Sequence, residues 1–319
     1  MFTVVSTFSG CGGSSLGYKM AGGKVLMAVE YDKNAIETYK LNFPDTPIFC
    51  DDIKKLSVEE ILKTTKLKAR ELDIFDGSPP CQGFSTAGKR DFEDTRNQLF
   101  KEFCRILKGL QPKCFVMENV SGMIKGQMKL IFVEVLKELK ACGYKVKASI
   151  LNAQNYSVPQ SRERLIFIGI RDDLGIEPSH PTGSNKLITV HEALKNVQNK
   201  TFLEPNIKYV ELMNSLLPGK NLSSLKKGKF FSYVRAPKNK PCMTITKSVS
   251  FGKVSIWHYQ EARNLTIEEA KRLSSFPDYY ILAGSYQDQW ARIGNAVPPM
   301  LMKHIASHVY NNILSKVNG

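Results

Sequence analysis

A cysteine placed directly after two prolines is the residue of this chain best suited to nucleophilic chemistry. Cys81 follows Pro79 and Pro80 at the end of the apolar run 72–75. Because proline fixes φ and lacks an N–H, this stretch cannot continue a central strand, and it holds the thiol at a rigid corner. The residues at 82–90 are mostly small or polar and are typical of a solvent-facing loop, which favours a reactive thiol over a buried one.

An acid and two arginines beside other strand-like runs suit the same kind of site. Glu118 ends the apolar run 114–117, and Arg162 and Arg164 lie just before the run 165–170. Taken singly, each of these residues fits an ordinary solvated side chain. Their joint placement beside two strands favours a catalytic role.

A glycine-rich turn at 8–13 predicts a cofactor site. It lies between a strand-like and a helix-like run, where glycines let backbone amides approach a ligand at a helix N-terminus. Glu30 ends the next strand-like run and is placed to accept hydrogen bonds from ribose hydroxyls. Tyr31 can stack on a purine, and Asp52 can accept from its exocyclic amine. NAD is the competing ligand, but the turn lacks the third glycine spacing of the dinucleotide fingerprint.

Strand-like and helix-like runs alternate through the first half of the chain, which predicts an α/β fold with a mostly parallel sheet and helices on both faces. After about Arg171 the sequence is rich in Pro, Gly, Asn, Ser and Lys, and no sustained helical period returns before Thr266. We therefore expect two domains, a larger one from 1–175 with 285–319 and a smaller, loop-rich one from 176–284. A length of 319 residues accommodates both.

The net charge of +15 is concentrated in one segment. Positions 181–260 hold 13 Lys and Arg against 3 Asp and Glu, a net of +10, with aromatic residues among the cations. This pattern favours contact with nucleic acid over a merely solvated surface. The candidates for phosphate or base-edge contact are Arg235, Lys238, Lys240, Lys247 and Lys253.

Several other classes of protein do not fit the sequence. No apolar run approaches the roughly 18 residues of a membrane span, and no secretory signal is recognisable. The seven cysteines form no C-x-x-C pair, which is typical of reduced thiols inside a cell. His304 and His308 have no acid between them, so we expect no metal site. No coiled-coil heptad is present, and we expect a cytoplasmic monomer.

Nine sequence blocks, taken in order, resemble the DNA cytosine-5 methyltransferase family. The blocks are FSGCGG (8–13), EYDKNA (30–35), DDI (51–53), GSPPCQGFSTAG (77–88), RNQLF (96–100), ENV (118–120), QSRERLIFIG (160–169), RLSSFPDYY (272–280) and RIGNAVPP (292–299). They cover nearly the whole chain apart from the basic segment. Their order is that of the unpermuted, bacterial type of enzyme.

The resemblance implies a Rossmann-like catalytic domain that uses S-adenosylmethionine, and a second, smaller target recognition domain. It makes Cys81 the nucleophile and Glu118 the acid that engages the base. Arg162 and Arg164 become the basic pair near the target ring, with Arg164 at its carbonyl oxygen. The cofactor-binding residues that it implies are Phe8, Ser9, Gly10, Gly12, Gly13, Glu30, Tyr31, Asp52, Ile53, Pro80, Leu99, Asn295 and Val297. The further DNA contacts expected are Ser85, Lys89 and Arg90 in the loop after the thiol, and Thr244.

The implied reaction transfers a methyl group to carbon 5 of a flipped-out cytosine in a specific duplex DNA sequence, through a covalent adduct with Cys81. The implied partners are duplex DNA, at the bacterial nucleoid, and a restriction endonuclease that acts on the same site. Two alternatives stay open. The first is an RNA (tRNA) cytosine-5 methyltransferase, although 242–244 only loosely matches the Cys-Phe-Thr signature of that branch. The second is a catalytically silent DNA-binding relative, against which the retained thiol and Glu118 count.

Overall fold

A single sheet carries the strand ends that the sequence marks as chemically important. The structure is a computed structural model that describes residues 1–80, 95–126, 128–204, 210–225, 233–247 and 256–317. In this part of the chain seven strands form the sheet, in the order β3-β2-β1-β4-β5-β7-β6. The strands are β1 (Phe2–Thr7), β2 (Gly23–Val29), β3 (Ile48–Phe49), β4 (Ile74–Gly77), β5 (Cys114–Val120), β6 (Tyr144–Asn152) and β7 (Glu163–Arg171). The predicted α/β class is confirmed.

The directions of the strands bring the candidate residues to one edge. Strands β1 to β5 pair in parallel, whereas β7 pairs with β5 in the antiparallel direction. The carboxyl ends of the parallel strands therefore lie at the same edge as the amino end of β7. This edge carries the turn at 8–13, Glu30, the segment 78–80, Glu118 and Arg164.

Helices connect the strands and complete the second half of the chain. The helices are α1 (Gly13–Met20), α2 (Lys33–Asn42), α3 (Val58–Thr65), α4 (Thr95–Leu110), α5 (Met128–Lys140), α6 (Val190–Ala193), α7 (Val210–Ser215), α8 (Ile267–Leu273), α9 (Tyr286–Asn295), α10 (Pro299–Val309) and α11 (Ser315–Val317). Asp32 and Ser57 cap α2 and α3 by accepting from backbone amides of the first turn. None of the helices in the described ranges is long and apolar enough to cross a membrane.

The chain divides into two compact units. The first comprises 1–151, 163–182 and 302–319, and the second comprises 152–162 and 183–301. The second unit thus includes 285–301, which the sequence had assigned to the larger domain. The predicted domain boundaries stay a prediction.

Aromatic rings fill the core of the first unit between the sheet and its helices. Phe103 of α4 stacks on Phe75 of β4 with ring centroids 4.8 Å apart, and it meets Phe115 of β5 edge-on. Gly169 of β7 lies against this ring, since a Cβ there would come within 1.9 Å of Phe115. Burial of these rings fixes the position of α4, the helix that follows the candidate thiol in the chain.

A charged pair organises the second unit around α8. Thr266 and Glu269 form a capping box at the start of this helix. The Glu269 carboxylate is buried and accepts two hydrogen bonds of 2.8 Å from the Arg263 guanidinium. The described part of this unit otherwise contains short helices and isolated β-bridges, which agrees with the loop-rich composition.

Asp76 is a buried carboxyl group that links three elements of the first unit. It lies on β4 and accepts hydrogen bonds from Ser6 Oγ on β1 (2.8 Å) and from the Tyr18 hydroxyl on α1 (3.0 Å). Burial raises the pKa of Asp76 to about 7, and the charge of Glu118 adds to this rise, whereas the two hydrogen bonds oppose it.

We expect the stability of the protein to depend on the protonation of Asp76. The folded state holds this proton more tightly than the unfolded chain, so the resulting stabilisation is complete below about pH 4 and is lost as the pH rises to about 7. The loss is on the order of 4 kcal/mol. Asp76→Asn should therefore show a smaller decrease in melting temperature between pH 5 and pH 8 than the unmodified protein. The exposed Asp45 provides the control variant Asp45→Asn. Parallel pH curves for all three proteins would contradict this assignment.

Candidate active site

The glycine turn after β1 has the backbone conformation of a ligand cradle. Gly10 and Gly12 have φ values of 53° and 88°, in the left-handed region that favours glycine. The Gly12 amide donates to Ser9 O at 2.9 Å, which closes the turn. Among the described residues, no atom beyond its two chain neighbours lies within 4 Å of the point where a Cβ on Gly10 would be, and no side chain caps the N-terminus of α1. Open space therefore adjoins an uncapped helix N-terminus, as anion and cofactor sites require.

Glu30 is held rigidly at the end of β2. One carboxylate oxygen accepts from the Gly10 amide at 2.7 Å, and the other accepts from the Tyr31 and Asp32 amides at 2.9 Å. A carboxylate accepts about four hydrogen bonds, so acceptor capacity remains for a ligand hydroxyl. The next residue, Tyr31, is 71% exposed and presents its ring to solvent.

A short turn after β3 forms another part of this edge, and α4 holds it in place. Asp52 caps the 3₁₀ turn Ile53–Lys55 by accepting from the Lys54 amide at 3.0 Å. The Arg105 guanidinium on α4 donates to Ile53 O (3.3 Å) and Leu56 O (2.7 Å). Leu99 lies on the same helix and packs against the core. The role of Arg105 was not predicted from the sequence, because none of its neighbouring residues indicates a contact with carbonyl groups 52 and 49 residues earlier in the chain.

The segment that precedes the candidate thiol is anchored to β5. The side-chain amide of the buried Asn119 donates to Pro79 O at 3.1 Å. This bond replaces the strand pairing that the two prolines prevent. Pro80 is exposed beyond it. Asn119 is a second residue whose role was not predicted from the sequence. Its position directly after Glu118 could have indicated that it belongs to the site.

Glu118 and Arg164 form an ion pair at this edge. Arg164 Nε lies 2.7 Å from Glu118 Oε1, and the two side chains are only 15% and 12% exposed. Glu118 is directly opposite Ile166 in the β5–β7 ladder, and Arg164 lies two residues further along on the same face. The antiparallel register therefore makes Arg164, and not Arg162, the partner of Glu118.

Arg162 occupies the interior of the second unit. Its guanidinium donates to Ile245 O and Gly294 O, each at 2.8 Å. A Cβ on Gly294 would lie 2.4 Å from the Thr246 backbone, so the last turn of α9 packs closely against this segment. These contacts give Arg162 a structural role in joining two segments of the second unit.

The residues expected to contact DNA differ in their exposure to solvent. Lys238, Lys240 and Lys247 are exposed, and Thr244 Oγ1 donates to Ser161 O at 2.8 Å. Arg235 is only 8% exposed, and its guanidinium donates to the backbone oxygens of Met213, Leu216, His258 and Gln260. The expectation that Arg235 contacts DNA is thus not supported, because its donors are used inside the second unit.

The remaining candidates fall into two groups. Asn295 is the exposed last residue of α9 and Val297 is buried two residues later, both in the second unit. Cys81, Ser85, Lys89, Arg90 and Lys253 lie outside the described residues.

Known proteins are similar to this chain in sequence and in fold over most of their length. The chain is 37% identical over 333 residues to the Type II methyltransferase M1.HphI of Haemophilus parahaemolyticus, which covers 96% of this chain and 86% of that protein. It is 35% identical over 326 residues to M.Sau96I of Staphylococcus aureus, with 95% and 74% covered. A solved structure from E. coli, a prophage-encoded protein described as a DNA modification methyltransferase, matches with a TM-score of 0.82 at 26% identity, and 98% and 99% of the two chains are covered.

The match to one family extends over almost every residue of the chain. The sequence model of the C-5 cytosine-specific DNA methylases aligns with residues 2–311, and this range includes both units. The glycine turn, the Glu30 carboxylate and the Glu118–Arg164 pair all lie within it. The chain therefore belongs to the C-5 cytosine-specific DNA methylase family and is a DNA (cytosine-5-)-methyltransferase that uses S-adenosylmethionine.

Proposed function

We propose that this protein methylates one cytosine of a specific duplex DNA sequence, after extruding that base from the helix and bonding it transiently to Cys81. The observation that supports this most strongly is the Glu118–Arg164 ion pair beside the anchored segment 78–80. Cys81 directly follows Pro80 in the chain. We propose that its thiol acts together with this acid and this positive charge.

Covalent catalysis solves the problem that carbon 5 of cytosine is a poor nucleophile. The Cys81 thiolate adds its electron pair to carbon 6, and the ring becomes an enamine whose carbon 5 can attack an electrophilic methyl group. Loss of the carbon 5 proton then expels the thiolate and restores the aromatic ring. Two easier steps replace one difficult step.

Glu118 and Arg164 stabilise the charge that the addition creates. Thiolate addition increases the negative charge on ring nitrogen 3 and on the carbonyl oxygen. Glu118 shares a proton with nitrogen 3, and the adjacent guanidinium stabilises the carboxylate form of Glu118. A guanidinium has five N–H groups, so Arg164 can bind Glu118 and also donate to the carbonyl oxygen of the ring.

The residues at the β1–β2 edge fit S-adenosylmethionine. The uncapped N-terminus of α1 and the open Gly10 suit its carboxylate, Glu30 has remaining acceptor capacity for its ribose, and Tyr31 offers a face for its purine. When bound, this cofactor supplies a methyl group activated by a positively charged sulfur. Asn295 and Val297 stay predicted contacts of the same cofactor.

Replacement of Glu30 should weaken cofactor binding. Glu30→Ala removes the ribose acceptor and also releases the amides of Gly10, Tyr31 and Asp32, so we expect affinity to decrease by about tenfold or more. Isothermal calorimetry with S-adenosylmethionine measures this change. Glu37→Ala, at an exposed glutamate on α2, is the matched control. Equal affinities of the two variants would refute the role of Glu30.

The target base must leave the duplex, because carbon 6 and nitrogen 3 cannot be reached inside a stacked pair. Phosphate contacts from the basic segment are proposed to hold the DNA during this step. We therefore expect log K for duplex DNA to decrease linearly with log[salt], with a slope of about −0.9 for each phosphate neutralised. Lys240→Ala should reduce the slope by about one unit, and Lys68→Ala, an exposed lysine of the first unit, should not. A flat plot for the unmodified protein would contradict the proposed contacts.

A methyl-transfer assay on matched substrates tests the proposal directly. The protein is incubated with methyl-labelled S-adenosylmethionine and either a duplex DNA library or total tRNA, and methylated positions are mapped by bisulfite sequencing. We expect methylation of carbon 5 at one cytosine of a recurring DNA sequence. Transfer to tRNA alone would instead favour the RNA branch of the same scaffold.

The expected partner is a restriction endonuclease, and the expected assembly is a monomer. The relatives M1.HphI and M.Sau96I are named Type II methyltransferases, which favours a role beside a restriction endonuclease that acts on the same site. A monomer in the bacterial cytoplasm stays the prediction, and sedimentation analysis of the purified protein tests the monomeric state.

A further inference from the structure

Two cysteine side chains meet in the interior of the first unit, away from the site described above. Cys104 lies on α4, and Cys142 lies two residues after the end of α5. The Cys142 thiol is 3.2 Å from Glu138 O and 4.0 Å from Cys104 O. The two thiols are close enough for each to change the pKa of the other. Both residues belong to the hydrophobic core, with 5% and 4% of their surfaces exposed.

An open cleft of about 300 Å³ reaches one member of this pair, Cys104. Its lining consists of Phe100, Lys101, Cys104, Arg105, Lys108 and Glu138. Cys104 thus forms part of the cleft wall, and Glu138 connects the cleft to Cys142 through its backbone oxygen. A small uncharged molecule the size of water or hydrogen peroxide occupies only about 30 Å³, so the cleft is wide enough to admit it.

The surroundings give the two thiols different properties. The interaction with the Cys104 side chain lowers the pKa of Cys142 and the charge of Lys108 lowers it further, although burial opposes both effects. The same interaction, followed by burial, raises the pKa of Cys104. Cys142 is therefore the better nucleophile, and Cys104 stays a thiol that supplies a proton.

We propose that Cys104 and Cys142 are an oxidation site, at which a peroxide converts the two thiols into an intramolecular disulfide between α4 and the end of α5. The Cys142 thiolate attacks one peroxide oxygen, the O–O bond breaks, and the products are a sulfenic acid on Cys142 and, after protonation, water. The Cys104 sulfur then attacks the Cys142 sulfur and displaces its hydroxyl group, which leaves as water with the Cys104 proton. Overall, two thiols and one hydrogen peroxide give one disulfide and two water molecules.

The disulfide would restrain a helix that the active site depends on. Arg105, the neighbour of Cys104, holds the carbonyls of Ile53 and Leu56 beside Asp52. Linking α4 to the end of α5 therefore restrains the helix that holds this turn. The chemistry of the pair does not depend on Cys81, so it can be tested whether or not the proposed nucleophile is correct.

Non-reducing peptide mapping by mass spectrometry tests the proposal. The full-length protein and its Cys81→Ala variant are treated with increasing hydrogen peroxide, and remaining thiols are then alkylated. We expect a cross-linked peptide that contains Cys104 and Cys142, a loss of two hydrogen masses, and complete reversal by dithiothreitol. The exposed Cys50 reports independently that peroxide reached the protein.

Single variants separate this pair from general oxidation. Cys142→Ala should abolish the cross-link and leave Cys104 open to alkylation, whereas Cys242→Ala, at a buried cysteine of the second unit, should keep the cross-link. Oxidation of Cys50 without any Cys104–Cys142 peptide in the unmodified protein would overturn the proposal. That result needs no variant, so a failure of Cys142→Ala to fold does not affect the test.

Discussion

Cys81→Ala is expected to abolish methyl transfer while leaving duplex DNA binding close to that of the unmodified protein. Without the thiolate, carbon 5 of the ring stays too weak a nucleophile, and no second nucleophile is proposed at this edge of the sheet. Binding should change little, because we propose that phosphate contacts from the basic segment supply most of the affinity. Single-turnover methylation and a gel-shift titration measure the two effects separately. Cys50→Ala, at the exposed cysteine after β3, should keep full activity.

A fluorinated DNA substrate tests the role of Cys81 as the nucleophile without requiring turnover. With fluorine on carbon 5 of the target cytosine, no proton can leave that carbon, and the enzyme should stay bonded to the DNA after denaturation. We expect this complex with the unmodified protein and Cys50→Ala, and none with Cys81→Ala. A covalent complex with Cys81→Ala would assign the nucleophile to another residue.

Arg164→Ala should have the second largest effect, and the decrease should lie in kcat. The change leaves the Glu118 carboxylate without its guanidinium partner and removes positive charge from the position where the ring becomes negative. Loss of one such stabilising group typically lowers kcat by about 10²–10³. KM for S-adenosylmethionine should change little, because most of its proposed binding residues lie in the turns that follow β1, β2 and β3.

Two further arginine variants distinguish catalysis from structure. Arg164→Lys keeps the charge but not the planar fork, so it should recover only part of kcat. Arg162→Ala should mainly lower the melting temperature, because it loses two hydrogen bonds to Ile245 O and Gly294 O inside the second unit. If Arg164→Ala kept normal kcat and Arg162→Ala lost it, the assignment of roles would be reversed.

Sequence patterns were sufficient where local chemistry decides the structure. Alternating apolar runs predicted the α/β sheet, and the position of Glu30 at the end of the second run predicted its place beside the glycine turn. The capping box at Thr266 is likewise a local feature, because its partners are three residues apart. Each of these features depends on neighbours in the chain or on the rule that parallel strands end at one edge.

Contacts between distant segments could not be predicted from the sequence in the same way. Arg162 and Arg164 are the same residue type and lie close together in the sequence. Arg164 nevertheless pairs with Glu118, whereas Arg162 joins two segments of the second unit. Arg235 lies in a basic segment but is buried among backbone oxygens. Charge alone does not distinguish a surface cation from an interior one, because burial depends on the packing of many residues at once.

The functional groups of this protein can be predicted from its residues alone: a thiol after two prolines, an acid and arginines beside strands, a glycine turn and a basic segment. Residue type and local spacing are enough for that, since the required functional groups are properties of single side chains. The folded chain was needed to show that Arg164 pairs with Glu118, that Asn119 anchors Pro79, that Asp76 links three elements, and that Cys104 lies beside Cys142. Strand register and helix packing set these distances, and they depend on the whole folded chain.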